Sequence, residues 1–249
     1  MPVTTRPTAR GSGDCARPLL KGNPKMDCRI KICGVTREED VALVSASGAD
    51  YVGLLVNMPS ARTLTPERAV ELAALSGIPA ILLFMGSPAE LVAETARAAR
   101  AAGVQIQGDE TPEFIACIRP LLDCEIWKGI HLPAAGDGDC DERAALDLMR
   151  LHAAAGADRL LLDTVSIEGG KRRMGGTGRV YDWDAAARIA SLSPRPVFMA
   201  GGLNPDNVAD AIRRVRPFGV DLAGGVESAP GIKDPAKVAA FVRSVRSAI

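Results

Sequence analysis

RIKICGVTREEDVALVSASGADYVGLLV, residues 29–56, contains one complete structural step. RIKIC (29–33) is a short strand-like run, and Thr36 with Glu39 fits a capping box that opens a helix. Gly48 falls where a helix C′ residue needs positive φ, and YVGLLV (51–56) begins a second strand. Strand, helix and strand at this spacing make a parallel βαβ unit.

Outward from that unit the rhythm repeats. Further apolar runs are AILLF (80–84), VQIQ (104–107), EIWKGI (125–130), RLLLD (159–163), VFMA (197–200) and VDLA (220–223), which brings the number to eight. Between them Thr65-Pro66, Ser87-Pro88, Thr111-Pro112, Asn204-Pro205 and Asp234-Pro235 each offer an oxygen-bearing N-cap followed by proline at N1. There the missing N–H costs nothing. Ser87 with Glu90 also fits a capping box, and Gly77, Gly103 and Gly156 end helices as Gly48 does. Near-continuous apolar strands joined by helices are parallel and covered on their outer face. Eight such units predict a single-domain α/β fold, a closed (β/α)8 TIM barrel over residues 26–249. No G-x-G-x-x-G follows the first strand, which sets aside the dinucleotide-binding open sheet.

Residues 1–25, MPVTTRPTARGSGDCARPLLKGNPK, break the pattern. They are rich in Arg, Pro, Thr and Gly and read as a disordered extension or, with Met26 directly after, a mis-assigned start.

Composition narrows the function classes. Lys+Arg and Asp+Glu both number 30, so no net field draws the chain to nucleic acid. Aromatics are 4%, too few for a base-stacking platform, and the apolar runs fall far short of a membrane span. The six cysteines, at 15, 28, 33, 117, 124 and 140, form no C-x-x-C pair, and His131 and His152 are the only histidines. Zinc spacing is absent, so no metal is expected, and the thiols read as reduced, in a cytoplasmic protein.

In a barrel the chemistry sits where strands end at their C-terminal side. The rule selects Cys33, Asn57, Gln107, His131, Asp163, Gly201–Gly202 and Gly224–Gly225. Lys31 and Cys33 share one strand face while Ile30 and Ile32 share the other, so Cys33 points into the mouth. A thiol there is either inert filler or a working group. Asp163 ends an apolar strand, where an acid is costly to bury unpaired; it is a loop anchor or is held for use. The turns GGTG (175–178), AGGLNPDN (200–207) and AGGVE (223–227) suit a phosphate through backbone N–H groups. Arg62 is either a bidentate clamp for a substrate carboxylate or an exposed residue, paired to Glu67 or simply solvated. Lys171-Arg172-Arg173 reads as a solvated loop tip or a basic lid, Trp127 and Trp183 as packing, and His131 as structural.

KICGVTREEDV, VQIQGDE, LLLDT…GGTGRVYDWD, PVFMAGGLNPDNVADAI and RPFGVDLAGGVESAPGIKDPAKVAAFV, in this order from Arg29 onward, resemble the phosphoribosylanthranilate isomerase family of tryptophan biosynthesis. The resemblance implies a (β/α)8 barrel and a cofactor-independent Amadori rearrangement of N-(5'-phosphoribosyl)anthranilate to 1-(o-carboxyphenylamino)-1-deoxyribulose 5-phosphate. It implies Cys33 as general base, Asp163 as general acid and Arg62 as the carboxylate-binding residue. Gly176, Gly202 and Ala223–Gly224–Gly225 are implied for the phosphate, with Lys31, Gln107 and Asp221 on the pocket wall. The partner expected is a small phosphorylated substrate, and the assembly a monomer or homodimer. Two positions depart from the family pattern: Gln107 stands where it commonly has histidine, and Ala223-Gly224 where serines are frequent. Beside the isomerase reading stand two others, a paralogue acting on another phosphorylated N-glycoside and a non-catalytic phosphometabolite-binding barrel.

Overall fold

The alternation of apolar runs and caps becomes strand and helix in strict turn. The computed structural model describes residues 28–168, 171–174 and 176–249. The barrel strands are β1 (Arg29–Cys33), β2 (Tyr51–Val56), β3 (Ala80–Phe84), β4 (Gly103–Ile106), β5 (Glu125–Pro133), β6 (Arg159–Glu168), β7 (Val197–Met199) and β8 (Gly219–Leu222). The helices that follow them are α1 (Glu38–Ala46), α2 (Pro66–Leu75), α3 (Ala89–Ala98), α4 (Pro112–Ile118), α5 (Glu142–Ala154), α6 (Trp183–Leu192), α7 (Val208–Val215) and α8 (Pro235–Ser247). Each strand pairs in parallel with the next, and β8 returns to β1 with Lys31 opposite Asp221, so the sheet closes as the sequence predicts. The extension expected at 1–25 lies outside the described residues.

Strand period sorts the apolar side chains into two layers. Ile30, Ile32, Val52, Leu54, Leu82 and Val104 are buried against the helices, whereas Cys33, Leu55, Ile81, Leu83, Trp127, Leu161 and Phe198 fill the barrel interior. Aromatics are scarce in the chain but gather at one end of that interior. Trp127 lies 4.4 Å from Phe198 and 5.3 Å from Tyr51, and Phe198 lies 5.6 Å from Phe218, centroid to centroid. Beside them Arg159 holds Glu125 through two 2.7 Å bonds, and the Trp127 indole N–H donates to the same carboxylate at 2.8 Å. These groups plug the N-terminal end, so the opposite mouth is the accessible one.

The helix signals were obeyed unevenly. Thr65 caps α2 and Asp234 caps α8 as expected, each with proline next, and Asp182 caps α6. Thr111 stands at the N-cap of α4 but makes no side-chain cap bond. Pro88 itself takes the N-cap position of α3, so Ser87 is displaced from it. Thr36 is not the cap of α1; its hydroxyl instead donates to the Gly231 carbonyl at 2.7 Å. Asn204 closes a turn by accepting from the Asp206 and Asn207 amides, and α7 starts only at Val208. Gly48 and Gly156 do adopt positive φ, 88° and 114°; Gly77 and Gly103 do not, and Arg100 takes the left-handed position after α3.

The basic stretch after Asp163 is not a plain loop. β6 runs on to Glu168, and Lys171–Met174 returns antiparallel along it, so a β-ribbon projects beyond the barrel rim.

Candidate active site

β1 is five residues long and delivers Cys33 to the mouth with 5% of its surface exposed. Its register partner is Gly53. A methyl group at Gly53 would lie 2.7 Å from the Cys33 sulfur, so only glycine leaves the thiol its place. Two residues deeper, Lys31 is fully buried and donates to Asp221 Oδ2 at 2.9 Å. The other carboxylate oxygen, Oδ1, has no hydrogen-bond partner among the described residues.

Asp163 sits on β6 beside His131 of β5. Its Oδ1 accepts from the Thr164 amide at 2.7 Å and its Oδ2 from Gln107 Nε2 at 2.9 Å. Gln105 Nε2 donates to Gln107 Oε1 at 2.6 Å, and His131 Nε2 lies 2.7 Å from the Gln107 carbonyl. Gln107 is therefore a direct partner of the proposed acid, more than a wall of the pocket.

Electrostatics set the resting protonation. Burial pushes the Cys33 thiol up, against the pull of Lys31; Asp221 adds to the rise and Lys233 opposes it. The nearby Lys31 ammonium lowers the thiol, but desolvation outweighs it, and Cys33 rests protonated. Burial also pushes the Asp163 carboxyl up, to about 6, held back by the Thr164 amide, Lys31 and Gln107. Burial alone would lower Lys31, but Asp221 and Cys33 reverse that and raise it. The Lys31–Asp221 pair thus acts on both Cys33 and Asp163.

Arg62, in the loop after β2, finds a partner far away in sequence. It pairs with Glu227, not with Glu67, through Nε at 2.8 Å and Nη2 at 2.6 Å. Nη1 makes no hydrogen bond among the described residues. The guanidinium borders Gly34, Gly176 and Gly224. The three glycine turns come together as well. A methyl at Gly202 would meet the Arg179 carbonyl carbon at 2.7 Å, and one at Gly225 would strike the Leu203 carbonyl. Gly176 and Gly202 adopt φ of 61° and 63°, the left-handed conformation that lets successive N–H groups converge on an anion. Gly175 lies outside the described residues, as do the side chains of Lys171, Arg172 and Arg173.

Sequence reading passed over Gln105, Glu227 and Lys233. The last two lie in GVESAPGIKD, but nothing local to that segment announces that its acid would reach Arg62. Among the described residues no cluster of His, Cys, Asp or Glu could hold a metal ion, and no helix is long and apolar enough to cross a membrane.

A closed barrel whose mouth carries a buried thiol, a proton-binding carboxyl and cationic and glycine-rich surfaces belongs among barrel enzymes that shuttle protons on small anionic molecules. Residues 30–244 match the family model of N-(5'phosphoribosyl)anthranilate (PRA) isomerase, and the chain belongs to that family. It is 37% identical over 224 residues to the N-(5'-phosphoribosyl)anthranilate isomerase of Methanopyrus kandleri, covering 88% of this chain and 99% of that one. Monomers generated from the dimeric isomerase of Thermotoga maritima superpose with a TM-score of 0.73 at 29% identity, over 88% of this chain and 99% of that one. A phosphoribosylanthranilate isomerase in complex with reduced 1-(o-carboxyphenylamino)-1-deoxyribulose 5-phosphate gives 0.72 at 28% identity, with the same coverage.

Proposed function

We propose that this barrel isomerises N-(5'-phosphoribosyl)anthranilate to 1-(o-carboxyphenylamino)-1-deoxyribulose 5-phosphate with Asp163 as acid and Cys33 as base. The observation that carries the assignment is the pairing of these two buried groups at the C-terminal ends of β6 and β1, both facing Lys31 and Asp221.

Asp163 gives its proton to the ribose ring oxygen, the C1'–O4' bond breaks, and the anilino nitrogen stabilises C1' as an iminium. Cys33 then removes the C2' proton as a thiolate, and the C2'–H electron pair neutralises the iminium to an enolamine. Ketonisation moves the 2'-hydroxyl proton to C1', so the reaction is a redox-neutral rearrangement of one molecule. The resting pair is a thiol and a carboxylate, and the working pair is a thiolate and a carboxylic acid. Both hold the same number of protons, so the change is a shift of one proton between sites. An anionic substrate raises both groups, and it favours that shift where its negative charge lies nearer Asp163 than Cys33.

Arg62 keeps its Nη1 edge for the anthranilate carboxylate while Glu227 occupies the other. The turns at Gly176, Gly202 and Ala223–Gly225 receive the phosphate through backbone amides, which do not depend on the serines that Ala223 and Gly224 replace. Lys31, Gln107 and Asp221 form the wall nearest the reacting carbons. Among the described residues Cys28, Cys33, Cys117, Cys124 and Cys140 are unbridged, and the setting is read as cytoplasmic. The assembly is read as a monomer or homodimer.

The purified chain is expected to abolish the fluorescence of phosphoribosylanthranilate at an enzymic rate, and Cys33→Ala and Asp163→Asn are each expected to lower that rate by orders of magnitude. Phosphate-ester binding without turnover would replace this reading with a binding barrel. Turnover that survives both substitutions would remove Cys33 and Asp163 from the mechanism.

A further inference from the structure

The segment after β8 folds back as a short antiparallel pair, Glu227–Ala229 against Ile232–Lys233, with Glu227 opposite Lys233. Lys233 has no side-chain exposure, and its ammonium donates to three acceptors. These are the Cys33 carbonyl at 2.6 Å, the Ala223 carbonyl at 3.1 Å and Glu227 Oε1 at 2.8 Å. An ammonium has three N–H donors, so this one is fully spent. Each acceptor belongs to a different part of the site: the strand end that carries the thiol, the glycine turn after β8, and the carboxylate that grips Arg62.

The mount behind Lys233 is firm. Its backbone N–H donates to Asp40 Oδ2 at 3.3 Å, and Asp40 is held by Arg37 through bonds of 3.0 and 2.9 Å. Thr36 ties the neighbouring Gly231 carbonyl to the start of α1. An ammonium in such a place is costly, and burial does push Lys233 below its ordinary value despite Glu227 beside it. A methionine of similar length would fill the same space and lack only the three bonds.

We propose that Lys233 is a positioning residue for the isomerisation: its one ammonium fixes the spacing between the base-bearing strand, the β8 turn and the Arg62–Glu227 clamp. This rests on the roles given above to Cys33 and Arg62. A substrate with a phosphate at one end and a carboxylate at the other must be held at both while C2' meets the thiol. Loosening all three anchors at once therefore acts on binding and on chemistry together. Lys233 also contributes a cation near Cys33, alongside Arg62 and the Lys31–Asp221 pair.

The test uses the full chain as Lys233→Met and Glu227→Gln, with turnover followed by substrate fluorescence and Cys33 alkylation by iodoacetamide followed by peptide mass spectrometry across pH. Lys233→Met is expected to lower kcat and raise KM by about tenfold or more each, and to move the alkylation midpoint of Cys33 to higher pH. Glu227→Gln, which leaves the bonds to the Cys33 and Ala223 carbonyls in place, is expected to raise KM while kcat stays within about threefold. Lys233→Met with both constants within about threefold of the parent, or with a folded protein whose alkylation midpoint is unmoved, overturns the proposal. Should Lys233→Met fail to fold, an unchanged KM in Glu227→Gln overturns it. A parent chain that turns substrate over only with Cys33 and Asp163 intact keeps the isomerase reading in every one of these cases.

Discussion

Gln107 Nε2 donates to Asp163 Oδ2 at 2.9 Å, and Gln105 fixes the direction of that amide by donating to its carbonyl at 2.6 Å. With Oε1 already occupied, the –NH2 end must face the carboxylate. A donor on the carboxylate favours its ionised form and so opposes the rise that burial imposes. Gln107→Met is therefore expected to shift the acid limb of the kcat/KM profile above pH about 6 and to lower kcat by up to about 10²-fold as Asp163 loses its aim. An unmoved limb would show that the amide plays no part in setting the acid.

The pH profile of the parent chain follows from the same groups. Below about pH 6 both Asp163 and Cys33 hold protons and no base exists. Above the raised value of the Cys33 thiol both are deprotonated and no acid exists. Between these limits the pair holds one proton in total, and a fixed fraction carries it on Asp163. A kcat/KM curve that rises near pH 6, stays flat, and falls on the alkaline side of an ordinary thiol is the expected outcome. A single optimum falling off above pH 6 would contradict the assignment of base.

Asp163 binds its proton more tightly in the folded protein, at about 6, than its ordinary value of 3.8 allows. Folding thus takes up a proton between those values, and the stability present below about pH 4 is lost as pH climbs through about 6. Asp163→Asn removes the loss, although one of the two amide donors at that carboxyl then lacks an acceptor. Denaturant unfolding is expected to find the variant ~1–3 kcal/mol more stable than the parent near neutral pH, with the difference gone at about pH 4.

Gly53→Ala tests the seat of the thiol. Its methyl would lie 2.7 Å from the sulfur and 3.1 Å from Cβ of Cys33, so the cysteine must leave its present position. A displacement of about 1 Å predicts a loss near 10²-fold in kcat, with a circular dichroism spectrum like that of the parent. Activity within a fewfold of the parent would mean that the thiol is not held to one position.

Lys31→Met leaves Asp221 buried without its 2.9 Å partner. Breaking one side of a buried pair costs about 3–5 kcal/mol, whereas replacing both sides with apolar groups is often neutral. The double variant Lys31→Met/Asp221→Leu is expected to recover most of the stability lost by the single one while remaining inactive. Equal destabilisation in both would place the cost in packing instead.

Strand ends were the legible part of this site. A period of two placed Cys33 inside the barrel, and the acid closing RLLLD placed Asp163 at the mouth, because both positions depend on local chain geometry. Family resemblance then suggested the roles proposed for them. Arg62 was legible as a candidate but its partner was not. Glu227 lies 165 residues further along, and the two meet only because β8 closes on β1. The same holds for Lys233, whose bond to the Cys33 carbonyl spans 200 residues. Thr36 shows the converse failure: its local capping signal was overridden by a tertiary bond to Gly231. The ribbon formed by β6 and Lys171–Met174 was hidden because its return arm, KRRM, is charged and carries no apolar alternation, even though TVSIE (164–168) on the outgoing arm does alternate.

The aromatic plug formed by Tyr51, Trp127, Phe198 and Phe218 has a consequence for traffic. It makes the barrel a blind alley, so substrate enters and product leaves by one doorway. No molecule can be passed through to a neighbour on the far side. Each departing ketose must clear the space that the next glycosylamine needs, and accumulating product therefore competes head-on with substrate for the same cup.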